Sequence, residues 1–418
     1  METPGTGIPH RCLHVAEVQA IIFGLLARED CVCLARTCGL FYNEAMNAVW
    51  AEVKSLVPFV RCMPLDAVAE SNSANPIWSG SDTTITFCKE PTSSDWQSFS
   101  KHAHRVRKFL DTDILFTHIY SYQPNGEVEH TIPVSVFQLA TSAWQTITHF
   151  ICQHHSTDSA PLFPNLVALQ ARSITDVFFR SYLPYICGVT LQTFILEFGV
   201  PINPGLGGGF YSTFSELLPA MRTSWPHLSS VEINAPECSI QGQATKHVEE
   251  ISVWIKNLAQ LHFLHVHTGC HPSLIQNLSE LPFLHTLDLK GEPGTTSDPT
   301  LNFAPSSLSS RFQSLKELKL ITYLPDSPVP LLRALNGSNT LTKITLAFGC
   351  MRGLPSFTET PQAIEAIYHL PAVNFLDLSF AHYKATTGLI STIRILRHPD
   401  HGSGSPECRQ CMDRTRIH

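Results

Sequence analysis

Between about residue 104 and residue 385 the chain repeats one short arrangement: an apolar residue, two others, an apolar residue, one other, an apolar residue. Clear copies are Leu228-Val231-Ile233, Leu261-Leu264-Val266, Leu284-Leu287-Leu289, Leu315-Leu318-Leu320, Leu341-Ile344-Leu346 and Val373-Leu376-Leu378. Weaker ones sit at Val106-Phe109, Leu166-Leu169-Ala171 and Leu191-Phe194-Leu196. The last two apolar positions have the period of two that a strand gives to residues on one face. From Leu228 the first positions are separated by 33, 23, 31, 26 and 32 residues, room for one strand and one helix per unit. The helices have their own signals. Val248, Ile251, Ile255 and Leu258 make one stripe, Pro272 opens a second segment with Leu274, Ile275, Leu278 and Leu281, and Thr360-Pro361 opens a third with Ile364, Ile367 and Leu370. Strand, helix, next strand is the right-handed parallel crossover. Stacking it predicts an α/β solenoid, a horseshoe with its strands on the concave side.

Ahead of this array the period is that of helices. Over residues 9–64, Val15, Val18, Ile22, Leu25 and Leu26 share one helical face, which Ile21 and Phe23 broaden. Asp30 is placed to cap a second helix through Cys38, with Gly39 as its left-handed terminator. Asn43 is placed to cap a third, carrying Ala45, Val49, Val53 and Leu56 with Trp50 beside them. Helices this short are unstable alone, so the three must pack on one another or on a partner. Residues 65–103, rich in Ser, Thr, Asn and Pro, read as a linker with one strand at Thr83–Phe87. Residues 386–418 lose the pattern and read as a flexible tail.

Composition narrows the function. With 43% hydrophobic residues in 418, the chain can bury a sizeable core. Lys and Arg total 28 against 35 Asp and Glu, a net charge of −7, which gives no basic footprint for nucleic acid. Met1 to Pro9 has no signal-peptide pattern, and no window reaches the ~18 apolar residues of a membrane span. The expectation is a cytoplasmic or nuclear protein that does not enter a membrane. Thirteen scattered cysteines suit free thiols in a reducing compartment.

The residue between the last two apolar positions of each copy points to the face opposite the core. Down the array these are Glu232, His265, Asp288, Lys319, Thr345 and Asp377, a polar stripe of mixed sign read as the substrate-binding surface. Most positions of such a face are merely solvated. His265 and His267 share a face, and Asp288 aligns with His265 in the next copy, so two imidazoles and a carboxylate form a set able to hold a metal. Among 21 histidines such a grouping arises easily, and a His–carboxylate hydrogen bond or a recognition contact is the reading preferred to a metal. Pro204 to Gly209 lacks the Lys-Ser/Thr of a phosphate loop, and Phe210 stands where a dinucleotide fingerprint has its third glycine. Cys408 and Cys411 have no second close pair to complete a zinc site. No catalytic signature is present, so a non-catalytic protein without cofactor or metal is expected.

Over about fifty positions the N-terminal segment resembles the F-box-like domain of mushroom-forming fungi. The residues carrying the likeness are His10-Arg11-Cys12-Leu13, Glu17 to Phe23, Leu34 to Cys38, Phe41, Ala45, Val49-Trp50, Leu56-Val57-Pro58 and Arg61 to Pro64. Asp95-Trp96, His104 to Arg107 and the array behind them resemble the divergent leucine-rich repeats that follow this domain. The resemblance implies a substrate-recognition adaptor of a cullin-RING (SCF-type) ubiquitin ligase. Its helices would dock on the Skp-family adaptor through Leu13, Ile21, Ile22, Phe23, Leu34 and Trp50, and its repeats would hold a protein substrate. Any one of these six equally suits the module's own core. Leu13 is followed by His14 rather than by the proline usual there, which leaves a second reading open, a repeat scaffold without ligase coupling. A metal-dependent enzyme using His265, His267 and Asp288 is a third.

Overall fold

The structure, a computed structural model, describes residues 15–74, 81–111, 137–139, 146–147, 161–172, 183–197, 218, 221, 224–234, 244–266, 272–290, 312–322, 329–335, 338–349, 365–367, 369–381 and 390–396. The chain divides into two compact units, residues 1–117 with 130–195, and residues 118–129 with 196–418.

The first unit opens with three helices: α1 (Ala16–Gly24), α2 (Arg28–Thr37) and α3 (Gly39–Ala51). Glu29 and Asp30 in the first turn of α2 and Arg36 in its last complement the helix dipole. Cys38, extended at φ −144° and ψ 122°, both ends α2 and precedes α3, so Gly39 starts a helix instead of terminating one. No left-handed residue is needed when the chain reverses through an extended one. Phe23 of α1 meets Phe41 of α3 edge-on, ring centres 5.9 Å apart.

From α3 the chain enters β1 (Glu52–Val53), the short helix α4 (Val57–Val60), β2 (Val68–Ala74), β3 (Ser81–Phe87) and α5 (Ser93–Ser100). Strands β4 (Lys108–Asp111), β5 (Phe137–Leu139) and β6 (Ala168–Arg172), helix α6 (Leu183–Ile186) and strand β7 (Thr193–Glu197) follow. The stretch read as a linker therefore carries a hairpin and a helix. Strands β2 and β3 pair antiparallel from Val68 with Phe87 to Ala74 with Ser81, and β5 joins β3. Polar Glu70 to Ser73 gave no alternation by which to read β2. Helix α5 starts at a capping box: Thr92 Oγ1 accepts from the Asp95 backbone N–H, while Asp95 Oδ2 accepts from that of Thr92.

Val53, Phe109 and Leu169 stand side by side on β1, β4 and β6, all fully buried. Phe59 lies between them and the helices, with ring centres 4.9 Å from Trp50, 5.5 Å from Phe99 and 5.4 Å from Phe163. Trp50 also stacks on His102 at 4.7 Å and 14°. His102 is buried, and its Nδ1 has no hydrogen-bond partner among the described residues. Burial, then the charges of Lys101, Arg105 and His104, lower its pKa from 6.5 to about 4. The unfolded chain thus binds the proton more readily than the folded one. Stability should fall as pH drops from 6.5 to about 4, by about 3 kcal/mol from this group. His102→Phe, which keeps the stack, should lose that part of the acid dependence in urea midpoints measured against pH; an unchanged slope would refute it.

The second unit contains β8 (Ser230–Asn234), α7 (Ala244–Lys256), β9 (Phe263–Val266), α8 (Pro272–Ser279), β10 (Thr286–Lys290) and β11 (Glu317–Thr322). It ends with α9 (Val329–Ala334), β12 (Lys343–Gly349), β13 (Phe375–Ala381) and β14 (Ile390–Leu396). Strands β8 to β13 pair parallel in sequence order. Val231, Leu264, Leu287, Leu318, Ile344 and Leu376 form one buried row across them, and Ile233, Val266, Leu289, Leu320, Leu346 and Leu378 the next. The expected helical stripes are buried too, with Ile251, Ile255 and Leu258 on and after α7 and Leu274, Ile275 and Leu278 on α8.

The solenoid reading is corrected. What the structure has is parallel α/β sheet: β1, β4, β6 and β7 follow in that order in the first unit and β8 to β14 in the second, while β2, β3 and β5 make a separate three-stranded sheet. Strand β14 runs antiparallel, Leu376 opposite Ile395 and Leu378 opposite Ile393, inside the stretch read as a tail. The repeated apolar spacing specifies alternation along each strand and in-register pairing with the next. Those properties belong to any sequentially ordered parallel sheet and do not encode a horseshoe. No described helix is long and apolar enough to cross a membrane.

Candidate functional site

The polar stripe of the sequence is one transverse row of the second unit's sheet. Glu232, His265, Asp288, Lys319, Thr345 and Asp377 occupy matching positions on six consecutive strands, and Arg394 of β14 continues the register. Strand neighbours lie about 4.8 Å apart, so each side chain can reach only its immediate neighbours. At the centre they do. The His265 Nδ1–H donates to Asp288 Oδ2 at 2.7 Å, and Lys319 Nζ donates to the same oxygen at 2.9 Å. Glu232, Thr345 and Asp377 are half-buried, and Glu232 accepts from Asn234 Nδ2 at 2.6 Å.

His265 and Asp288 are not solvated positions: they are 9% and 7% exposed. Burial pushes the Asp288 carboxyl up, but the hydrogen bonds and charges of His265 and Lys319 outweigh it and hold the group below the usual carboxylate range. A buried carboxylate is stable when such donors surround it. Its second oxygen, Oδ1, is buried and has no hydrogen-bond partner among the described residues.

Compared with protein-family models and with curated proteins, the chain matches none.

On the same face, one register position earlier, sequence reasoning missed a second chain of contacts. Lys343 Nζ meets Glu317 Oε1 at 2.5 Å and lies 5.6 Å from the Phe375 ring centre. Glu317, Lys343 and Phe375 are each two residues before a stripe position, so the alternation that located the stripe also locates them. His267 lies outside the described residues, as do Pro204 to Gly209, Cys408 and Cys411. Among the described residues no three His, Cys, Asp or Glu side chains are grouped to hold a metal ion.

The six candidate docking residues separate by exposure. Ile21 is 66% exposed and Ile22 is also exposed, whereas Phe23 and Trp50 are buried in the first unit's core and Leu34 is half-buried. Leu13 lies outside the described residues. Leu25, 83% exposed, joins the outward set, as do Val15 and Leu26.

Proposed function

We propose that the chain is a substrate-recognition adaptor of a cullin-RING ubiquitin ligase, working in the cytoplasm or nucleus. Helices α1 to α3 dock on the Skp-family adaptor, and the polar face of the second unit's sheet holds a protein substrate. The chemistry belongs to the partners. The reading rests on the F-box-like pattern of the first 64 residues, and the observation that supports it most is the surface of α1. This nine-residue helix turns Phe23 inward yet leaves Ile21, Ile22 and, just past its end, Leu25 and Leu26 exposed. Val32 of α2 and Tyr42 of α3 are exposed as well. Several large apolar side chains turned outward mark an interaction surface, and short helices with such anchors dock in apolar grooves.

The purified chain should co-elute with a Skp-family adaptor. Replacing Ile21 and Leu25 together by glutamate should weaken that capture by at least about 100-fold, the scale of losing two buried anchors. Because both side chains are exposed, the melting temperature should stay within about 2 °C. A folded wild-type chain that fails to bind, or a double variant that still binds, would favour an interaction scaffold with no link to ubiquitination.

A further inference from the structure

The contacts of Asp288 are lopsided. Both donors converge on Oδ2, and Oδ1 has none among the described residues although it is buried. Leaving a buried charged acceptor without a donor is costly, because the group gives up its hydration and gains nothing in exchange. The two donors also differ in exposure: the His265 side chain is 11% exposed, whereas that of Lys319, on its long stem, is 40% exposed. An ammonium is a point donor and serves one oxygen. A guanidinium is a planar fork whose parallel N–H groups serve both oxygens of one carboxylate together. Without Lys319, the row from Glu232 to Asp377 would hold three carboxylates, Glu232, Asp288 and Asp377, with His265 and Thr345, and the next lysine or arginine would be Arg394, in register with Asp377 and four strands beyond Asp288. Nearby Lys343 is engaged by Glu317.

We propose that Asp288 is a recognition site for an arginine side chain of a protein partner, which binds its carboxylate through both oxygens while Lys319 swings out to solvent. Lys319 is thereby a built-in occupant that an incoming arginine replaces and that discriminates against weaker donors. The proposal rests on the reading that this sheet face holds a protein substrate, and it gives that substrate its chemistry.

The test is a titration of the full chain with N-acetyl-arginine amide, N-acetyl-lysine amide and the uncharged N-acetyl-citrulline amide, followed by the His265 ring resonances. These are assigned by their loss in His265→Gln. Arginine amide should shift them saturably, lysine amide should bind at least about 5-fold more weakly, and citrulline amide should leave them unmoved. Lys319→Met, which keeps the stem and removes the competing cation, should tighten arginine binding by about 5-fold. Asp288→Asn should abolish it. Equal binding of the arginine and lysine amides, no binding by the wild-type chain, or an unchanged affinity in Lys319→Met would each overturn the proposal. If Asp288→Asn does not fold, Lys319→Met decides. Adaptor co-elution runs through α1, so a negative titration leaves that reading standing and a lost co-elution leaves this one standing.

Discussion

Replacing Phe59 by alanine should destabilise the first unit by about 3–5 kcal/mol, the range for deleting a fully buried aromatic ring whose neighbours only partly close the gap. Phe59 has no exposed surface, and its ring meets Trp50 on α3, Phe99 on α5 and Phe163 ahead of β6. One side chain therefore joins the three-helix module to the strands behind it. Hydrogen exchange read on peptides spanning residues 161–172 should show the loss far from the substitution in sequence. A loss below about 1 kcal/mol would mean that the helices and strands are not energetically joined through this ring.

Leu287→Ala should be the corresponding lesion in the second unit, at about 2–5 kcal/mol. Leu287 is fully buried between Leu264 and Leu318 in the central apolar row, with strands on both sides and little room to collapse. Thr345, half-buried on the polar face of the same sheet, is the control, and its alanine variant should stay within about 0.5 kcal/mol. Urea denaturation of the two variants, followed by exchange at residues 261–266, should separate them by at least about ten-fold in the unfolding constant. Equal costs would show that the two faces of the sheet do not differ as burial indicates.

Periodicity located nearly everything that periodicity can encode. The leucines at 264, 287 and 318 are neighbours because each strand carries the same alternation, and the stripe from Glu232 to Asp377 follows from side chains taking opposite faces in turn. The burial of His265 and Asp288 was not legible, because it depends on which polar groups meet across strands. Strand β2 was hidden for a similar reason: Glu70 to Ser73 pair through their backbones, and backbone pairing leaves no compositional mark. Among the helices, Ile21 and Phe23 looked equivalent until packing on Phe41 chose Phe23 for the interior. The horseshoe was an inference about curvature, and alternation carries none. Helix α5 was encoded, in the Thr92 to Asp95 box, but its Ser-rich surroundings read as loop.

Strand β14 lies last in the order of its sheet, which makes it an edge among the described strands. Edge strands offer unpaired N–H and C=O groups to any passing chain, and natural sheets blunt them with polar and charged residues. Its neighbour β13 reads Phe-Leu-Asp-Leu-Ser-Phe-Ala, a poor edge because so much of it is apolar. By folding back antiparallel over it, β14 places Ser391, Thr392 and Arg394 in the outermost strand instead. Each earlier pairing in the second unit adds one more parallel strand, and the segment that departs from the pattern closes that series with a strand of opposite direction.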